Sequence, residues 1–212
     1  MEYQTPKTIC SLCGSEFTRQ GMTRHIKTCL SKCLTVESKG RPQELLYLHV
    51  HDAYNSDYFL HLLLAETATF NHLDAFLREI WLECCGHMSA FTFQRYGEEI
   101  DMRRKARDIF TSAKKITYQY DFGSTTELMV QAMGRYRGPM KGKIQIIARN
   151  AQPIIPCDGC NAKSAVVICT ECMWDNAGWL CEACAQIHDC NEDMFLPVVN
   201  SPRTGVCGYT GE

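Results

Sequence analysis

Residues 44–82 read ELLYLHVHDAYNSDYFLHLLLAETATFNHLDAFLREIWL. Leu45 to Val50 alternates around aromatic and aliphatic residues, which predicts a strand. Asn55-Ser56-Asp57 is turn chemistry, because short polar side chains bond their own backbone. Tyr58 to Ala65 predicts a second strand, apolar enough to lie centrally in a sheet. Thr69 can cap the helix that follows. Leu73, Phe76, Leu77, Ile80 and Trp81 then recur at helical spacing and form one apolar face. Gly86 ends that helix. Strand, turn, strand and capped helix in this order predict an α+β fold.

Toward the C-terminus, Ser89 to Tyr96 predicts a third strand. Asp101 to Ser112 is a charged helical stretch carrying Arg103, Arg104, Lys105 and Arg107. Ile116 to Phe122 predicts a strand, Gly123-Ser124 turns the chain, Glu127 to Met133 pairs back and Ile144 to Ala148 closes the sheet. Residues 43–150 are therefore expected to form an antiparallel or mixed sheet with one principal helix packed on it. Residues 149–156 are a linker, because Pro153 and Pro156 cannot continue a ladder.

Beyond that linker the chain becomes cysteine-rich. Cys157-x2-Cys160, Cys169-x2-Cys172 and Cys181-x2-Cys184 are followed by His188 and Cys190. A structural zinc ion takes four thiolate or imidazole ligands in a tetrahedron. Eight ligands fit two zinc ions with none left over. The two-residue gap folds a tight knuckle that points both sulfurs at one metal. Equal spacers suit interleaved pairing, the first pair with the third and the second with the tail; consecutive pairing is the alternative. Tight Cys-x2-Cys pairs suit metal better than a disulfide framework or buried free thiols. The order resembles B-box and other cross-braced zinc domains, which usually bind proteins. Trp174 and Trp179 lie between knuckles and are expected to pack a metal-poor core. Cys207 is a spare that can replace Cys190.

At the other end, Cys10-x2-Cys13-x11-His25-x3-Cys29 reads as one small finger. Phe17 and Met22 lie between its ligand pairs, and Gln20 to Cys29 forms the helix that presents His25 and Cys29 one turn apart. It resembles the two-Cys two-His finger with Cys29 in place of the last His, a CCHC-type ligand set. Cys33 is a rival fourth ligand. By alignment with DNA-reading fingers, Thr18, Gly21 and Arg24 fall at base-facing positions. Gly21 can read nothing, and one finger covers too few bases for a specific site. Arg19, Arg24, Lys27 and Lys32 serve a phosphate-contacting face or a solvated one. Residues 32–43 are a linker punctuated by Gly40 and Pro42. The domains expected are thus 1–42, finger and basic linker; 43–150, α+β core; and 151–212, a two-zinc Cys/His module.

Charge follows the same division. Residues 1–42 carry seven Lys/Arg against three acids, residues 43–149 thirteen of each, and residues 150–212 two bases against eight acids. The first segment suits phosphates and the last repels them. Fourteen cysteines and a polar start without an apolar secretory core predict a cytoplasmic chain whose thiols stay reduced. The longest apolar run, Phe59 to Ala65, is too short to span a bilayer.

One stretch carries a family likeness. Tyr120-Asp121-Phe122-Gly123, preceded by Thr117 and Tyr118, resembles the signature of the Ri-plasmid ORF-three-like family. The helix ending near Trp81 and the strand Phe91-Thr92-Phe93 fit that family's core in order. The tail from Asn200-Ser201-Pro202-Arg203 to Val206-Cys207-Gly208-Tyr209 is similar to its long, cysteine-rich subgroup. After the Phe-Gly this chain has Ser124-Thr125-Thr126-Glu127, where family members usually carry acidic and aromatic residues. The resemblance implies an α+β fold and a mobile-element context, since some members are transposon passenger proteins. It implies no activity.

For catalysis, His49-x-His51-Asp52 is the constellation to weigh. Two histidines on one strand face share a side, and with His61 or His72 they can hold a catalytic metal or move protons. Cys84-Cys85 beside His87 is a candidate reactive thiol pair. Phosphate loops, nucleophile elbows and His-Glu-x-x-His are absent from the sequence. Two readings follow: a non-enzymatic adapter with three zinc ions that docks a protein partner, on nucleic acid through Arg19, Arg24 and Lys27, or a metalloenzyme built on His49, His51 and Asp52.

Overall fold

The computed structural model describes residues 7–34 and 41–211. The segment read as a finger comes first, as strands β1 (Thr8–Ile9) and β2 (Glu16–Phe17) and helix α1 (Arg19–Cys33). Thr18 caps α1, its side chain accepting from the Gly21 N–H. Of the linker expected over 32–43, residues 35–40 lie outside the described residues.

The sheet begins with β3 (Pro42–Asp52) and β4 (Phe59–Ala65), and helix α2 (Phe70–Leu77) follows Thr69. The chain continues through a π turn (Arg78–Leu82), β5 (Ser89–Thr92), β6 (Glu99–Ile100), helix α3 (Ala106–Ile109), β7 (Lys115–Tyr120), β8 (Thr126–Pro139) and β9 (Ile144–Arg149). The seven strands are ordered β6-β5-β7-β8-β3-β4-β9, and every pairing is antiparallel. The molecule is α+β, as the sequence pattern predicts.

Three local expectations need correction. The third strand stops at Thr92 rather than Tyr96, because the chain turns through Tyr96 in the left-handed region (φ +57°). The charged stretch 101–112 is helical only over Ala106–Ile109. Its first residues are diverted: Asp101 accepts the Arg103 N–H, while the carbonyls of Met102 and Arg104 accept the Asn71 and Phe70 N–H groups. Those bonds satisfy α2 amides that have no partner inside their own helix. Finally, β3 starts at Pro42, since it pairs along its whole length with β8, from Pro42–Pro139 to Asp52–Leu128.

Both faces of the sheet are covered. Leu46, Leu48 and Val50 of β3 and Leu60, Leu62 and Leu64 of β4 pack with Phe70, Leu73, Leu77 and Trp81. The alternate residues Leu45, Tyr47 and Leu63 pack, with Ile147, against Met22, Ile26 and Leu30 of α1. This explains why all seven residues of β4 are buried: successive side chains point to opposite faces, and each face has its own helix. The expected single principal helix is therefore joined by a second on the other side. The finger is bonded to the sheet as well as packed on it. Ser11 donates from its N–H to the Ile147 carbonyl and from its hydroxyl to the Ile146 carbonyl, and Arg19 donates to the Ser56 carbonyl.

The C-terminal segment adds a small sheet, β10 (Val167–Cys169), β11 (Trp179–Leu180) and β12 (Phe195–Pro197), ordered β11-β10-β12, with helix α4 (Glu182–Ala185). The chain then returns to the large sheet. The Ser201 hydroxyl donates to the Trp81 carbonyl at 2.6 Å, and Arg203, fully buried, donates to Asp121 at 2.6 Å. No helix among the described residues is long and apolar enough to cross a membrane.

Candidate metal centres

In the finger, the β1–β2 hairpin presents Cys10 and Cys13, and one face of α1 presents His25 and Cys29. Phe17 stacks on the His25 ring at 4.1 Å and fixes its plane. The four ligand atoms lie within 4.8 Å of one another. Cys33 approaches Cys29, sulfur to sulfur, at 3.7 Å but lies outside this group.

In the C-terminal segment, Cys157 and Cys160 meet Cys181, at the start of α4, and Cys184 within it. Cys169, at the end of β10, and Cys172 meet His188 and Cys190. The first knuckle is thus with the third and the second with the tail. Gly159 permits the first of these groups, since a Cβ there would sit 3.0 Å from the Cys184 sulfur. Gly178 permits the second, since a Cβ there would sit 2.6 Å from the Met173 nitrogen and 2.8 Å from the Cys169 carbonyl oxygen.

The spacing inside the groups fits a metal. Zinc bonds of about 2.3 Å to sulfur and 2.0–2.1 Å to nitrogen place tetrahedral sulfurs about 3.8 Å apart, and a sulfur and a nitrogen about 3.5 Å apart. The Cys10–Cys29, Cys160–Cys181 and Cys172–Cys190 sulfurs are separated by 4.0, 3.9 and 3.5 Å, and Cys13 Sγ is 3.3 Å from His25 Nε2. All fourteen cysteines are free thiols.

Electrostatics points the same way. Burial raises the Cys157 thiol, but the N–H groups of Cys181, Cys160 and Gly159 outweigh it and bring it down to about 6. Burial likewise raises Cys169; the Cys172 N–H, the His188 ring and the Glu171 N–H bring it down to about 7. The Ser15 hydroxyl and N–H lower Cys13 to about 6. N–H groups aimed at sulfur favour the thiolate, which is the form that binds metal. Two of their neighbours are pushed the other way: Cys157 and Cys181 raise Cys184 to about 12, and Cys172 and Glu171 raise Cys190 to about 12. Four crowded thiols cannot all ionise without a cation between them. His188 Nε2 is also buried without a hydrogen-bond partner. The donor sets, soft thiolates with imidazole, are consistent with zinc.

A fourth group was not foreseen. Cys84, Cys85 and His87 meet Cys207, again within 4.8 Å. Cys207 is therefore no substitute for Cys190. The vicinal cysteines and the tail cysteine are visible in the sequence, but nothing in their spacing says that they meet.

The histidine constellation is assembled in part. His49 and His51 share a face, and His49 stacks on His61 at 4.7 Å. Asp52 instead accepts N–H groups from Tyr54 and Asn55 in the turn. His72 serves the start of α2, accepting from the Thr69 N–H. Burial lowers His49 to about 4 and His61 to about 3, so both are neutral at pH 7. His61 is bonded to the Tyr47 hydroxyl at 2.8 Å. The metal-capable groups among the described residues do not include these histidines.

The two tryptophans divide. Trp179 is half-buried and lines a cleft with Asp52, Tyr58 and Ser201, whereas Trp174 is 79% exposed. Packing of the module explains the first and not the second.

No protein-family model and no curated protein matches the chain. Among solved structures it is similar to a protein of unknown function, MM3350 from Methanosarcina mazei Go1, at 16% sequence identity and a TM-score of 0.42, over 50% of this chain and 67% of that one.

Proposed function

We propose that the chain is a zinc-stabilised, non-enzymatic adapter that docks a protein partner through its C-terminal module. The observation that carries this reading is that the finger and module groups each offer four protein ligands. A catalytic zinc keeps a position open for water or substrate, and a full tetrad does not. Zinc at Cys10, Cys13, His25 and Cys29, at Cys157, Cys160, Cys181 and Cys184, and at Cys169, Cys172, His188 and Cys190 is then architectural.

The docking surface on this reading is the acidic module. Trp174 and Ile187 are 79% and 81% exposed on a segment with two bases and eight acids. Exposed aromatic anchors within a charged rim are the usual composition of an interface centre. The complementary partner carries an apolar pocket with basic surroundings. The test is affinity purification of the tagged full chain beside a Trp174→Ala/Ile187→Ala variant. A stoichiometric protein lost from the variant supports the reading; identical recoveries contradict it.

Nucleic-acid contact belongs to the same proposal, through the exposed face of α1 that carries Arg24 and Lys27. Arg19 is withdrawn from it, since its guanidinium is engaged by the Ser56 carbonyl and hydroxyl. Binding that weakens steeply with salt and with Arg24→Ala supports this part; salt-insensitive binding removes it. The Ri-plasmid ORF-three-like kinship, with its mobile-element context and a cytoplasmic setting, is likewise proposed. What supports it is the Tyr120-Asp121-Phe122-Gly123 resemblance. Asp121 there accepts N–H groups from Gly123 and Ser124 and pairs with Arg203 of the resembling tail.

A further inference from the structure

We propose that Cys84, Cys85, His87 and Cys207 hold a fourth zinc ion, which fastens the C-terminal tail to the large sheet. The four donors are three thiols and an imidazole, a set that selects zinc over hard cations such as magnesium and calcium. Cys84 and Cys85 sulfurs are 3.8 Å apart, and Cys85 and Cys207 sulfurs 3.7 Å apart. These are the tetrahedral edge lengths of a zinc thiolate site, about 3.8 Å. His87 Nε2 lies 3.0 Å from Cys85 Sγ and 3.2 Å from Cys207 Sγ, slightly inside the corresponding edge.

The backbone on both sides is arranged to bring these groups together. Gly86 takes φ +78°, which turns the chain between Cys85 and His87. The Glu83 carboxylate accepts the Gly86 N–H, and Arg78 donates to the His87 carbonyl at 2.7 Å, so the loop is held before any metal arrives. On the tail, Gly205, Cys207 and Gly208 all have left-handed φ values, +81°, +53° and +67°. Cys207 is the one among them with a side chain, and L-residues adopt that region at a cost. Its thiol is exposed, so packing does not compensate that cost; a bond from sulfur to metal does. Asp121 Oδ2 lies 3.5 Å from His87 Nε2 and 2.6 Å from the buried Arg203 guanidinium. The carboxylate stays with Arg203 and places a negative charge beside the cation.

This site differs in kind from the other three. Each of those closes a loop within one small module. Here His87 and Cys207 are 120 residues apart, so the ion joins the tail to the sheet. It stands whether or not the acidic module docks a partner, and its test uses the isolated chain.

Native mass spectrometry of the full chain, purified without added metal, is compared for wild type, Cys207→Ser and Cys207→His. The expected result is one zinc fewer in Cys207→Ser, the wild-type count in Cys207→His, where a substitute ligand is supplied, and faster hydrogen exchange at residues 203–209 in the serine variant alone. Because Cys207 is exposed, the serine variant keeps its core. An unchanged metal count in Cys207→Ser, or a loss of more than one ion, overturns the proposal.

Discussion

Replacing Leu30 by alanine should weaken the large sheet itself, not only the finger that carries the residue. Leu30 is fully buried and belongs to the cluster formed with Met22, Ile26, Leu45, Tyr47, Leu63 and Ile147. Buried Leu→Ala changes cost about 2–5 kcal/mol, more where the surroundings cannot collapse. Collapse is restricted here, because Ser11 and Arg19 tie the finger to β9 and to the β3–β4 turn. A cost of about 3 kcal/mol follows, which is roughly two decades in an equilibrium constant. Hydrogen exchange at the amides of Leu62, Leu63 and Leu64 should accelerate by about that factor. Arg24→Ala, on the exposed face of the same helix, should change it by less than about threefold, within the usual ±0.5 kcal/mol for surface sites. Unchanged protection of β4 in Leu30→Ala would show that the finger is an independent appendage and would refute this packing argument.

Further expectations concern the module, a glycine and pH. Chelation should expose residues 157–190 to protease and loosen β4 through the finger that covers it, while β7, packed in the cluster on the other face, stays protected, since the module has three short strands and little core besides its ligands; intact protection of the module after chelation would contradict it. Gly178→Ala should cost one metal ion by mass spectrometry, because the new Cβ would meet Met173 N at 2.6 Å beside the Cys169–Cys172 knuckle and overpacking forces the backbone aside. His49 and His61 have folded-state values lowered by burial to about 4 and about 3. The unfolded chain therefore binds protons first. Their contribution is complete above about pH 6.5 and is lost as pH falls from there toward 4, at up to about 1.4 kcal/mol per pH unit for each ring. Urea unfolding of His49→Phe across that range should show a shallower acid slope than wild type; equal slopes would remove this account of the stacked pair.

The spacing of Cys-x2-Cys pairs is legible because a knuckle is local, and its chemistry is written within four residues. The strand–turn–strand–helix order of 44–82 is legible for the same reason: period and capping act over a few residues. What escaped the reading is non-local. Cys84, Cys85 and His87 find Cys207 only after the sheet and the tail are built. The continuous apolar run of β4 indicates burial on both faces, but nothing within it names the finger as the second cover. Asp52 sits where a site acid was expected, yet the turn at Tyr54 and Asn55 claims its carboxylate. Residues 101–105 carry helical composition, and their backbone instead serves the start of α2.

The most direct measurement is the zinc content of the 212-residue chain purified without added metal, read by native mass spectrometry. The account predicts four zinc ions per chain, with all fourteen cysteines accounted for as thiol or metal-bound thiolate. Three ions would leave the finger and the module intact and remove the site at the tail. A metal-free chain whose mass falls short by pairs of hydrogens would mean disulfides, and would contradict the central claim that metal organises this fold.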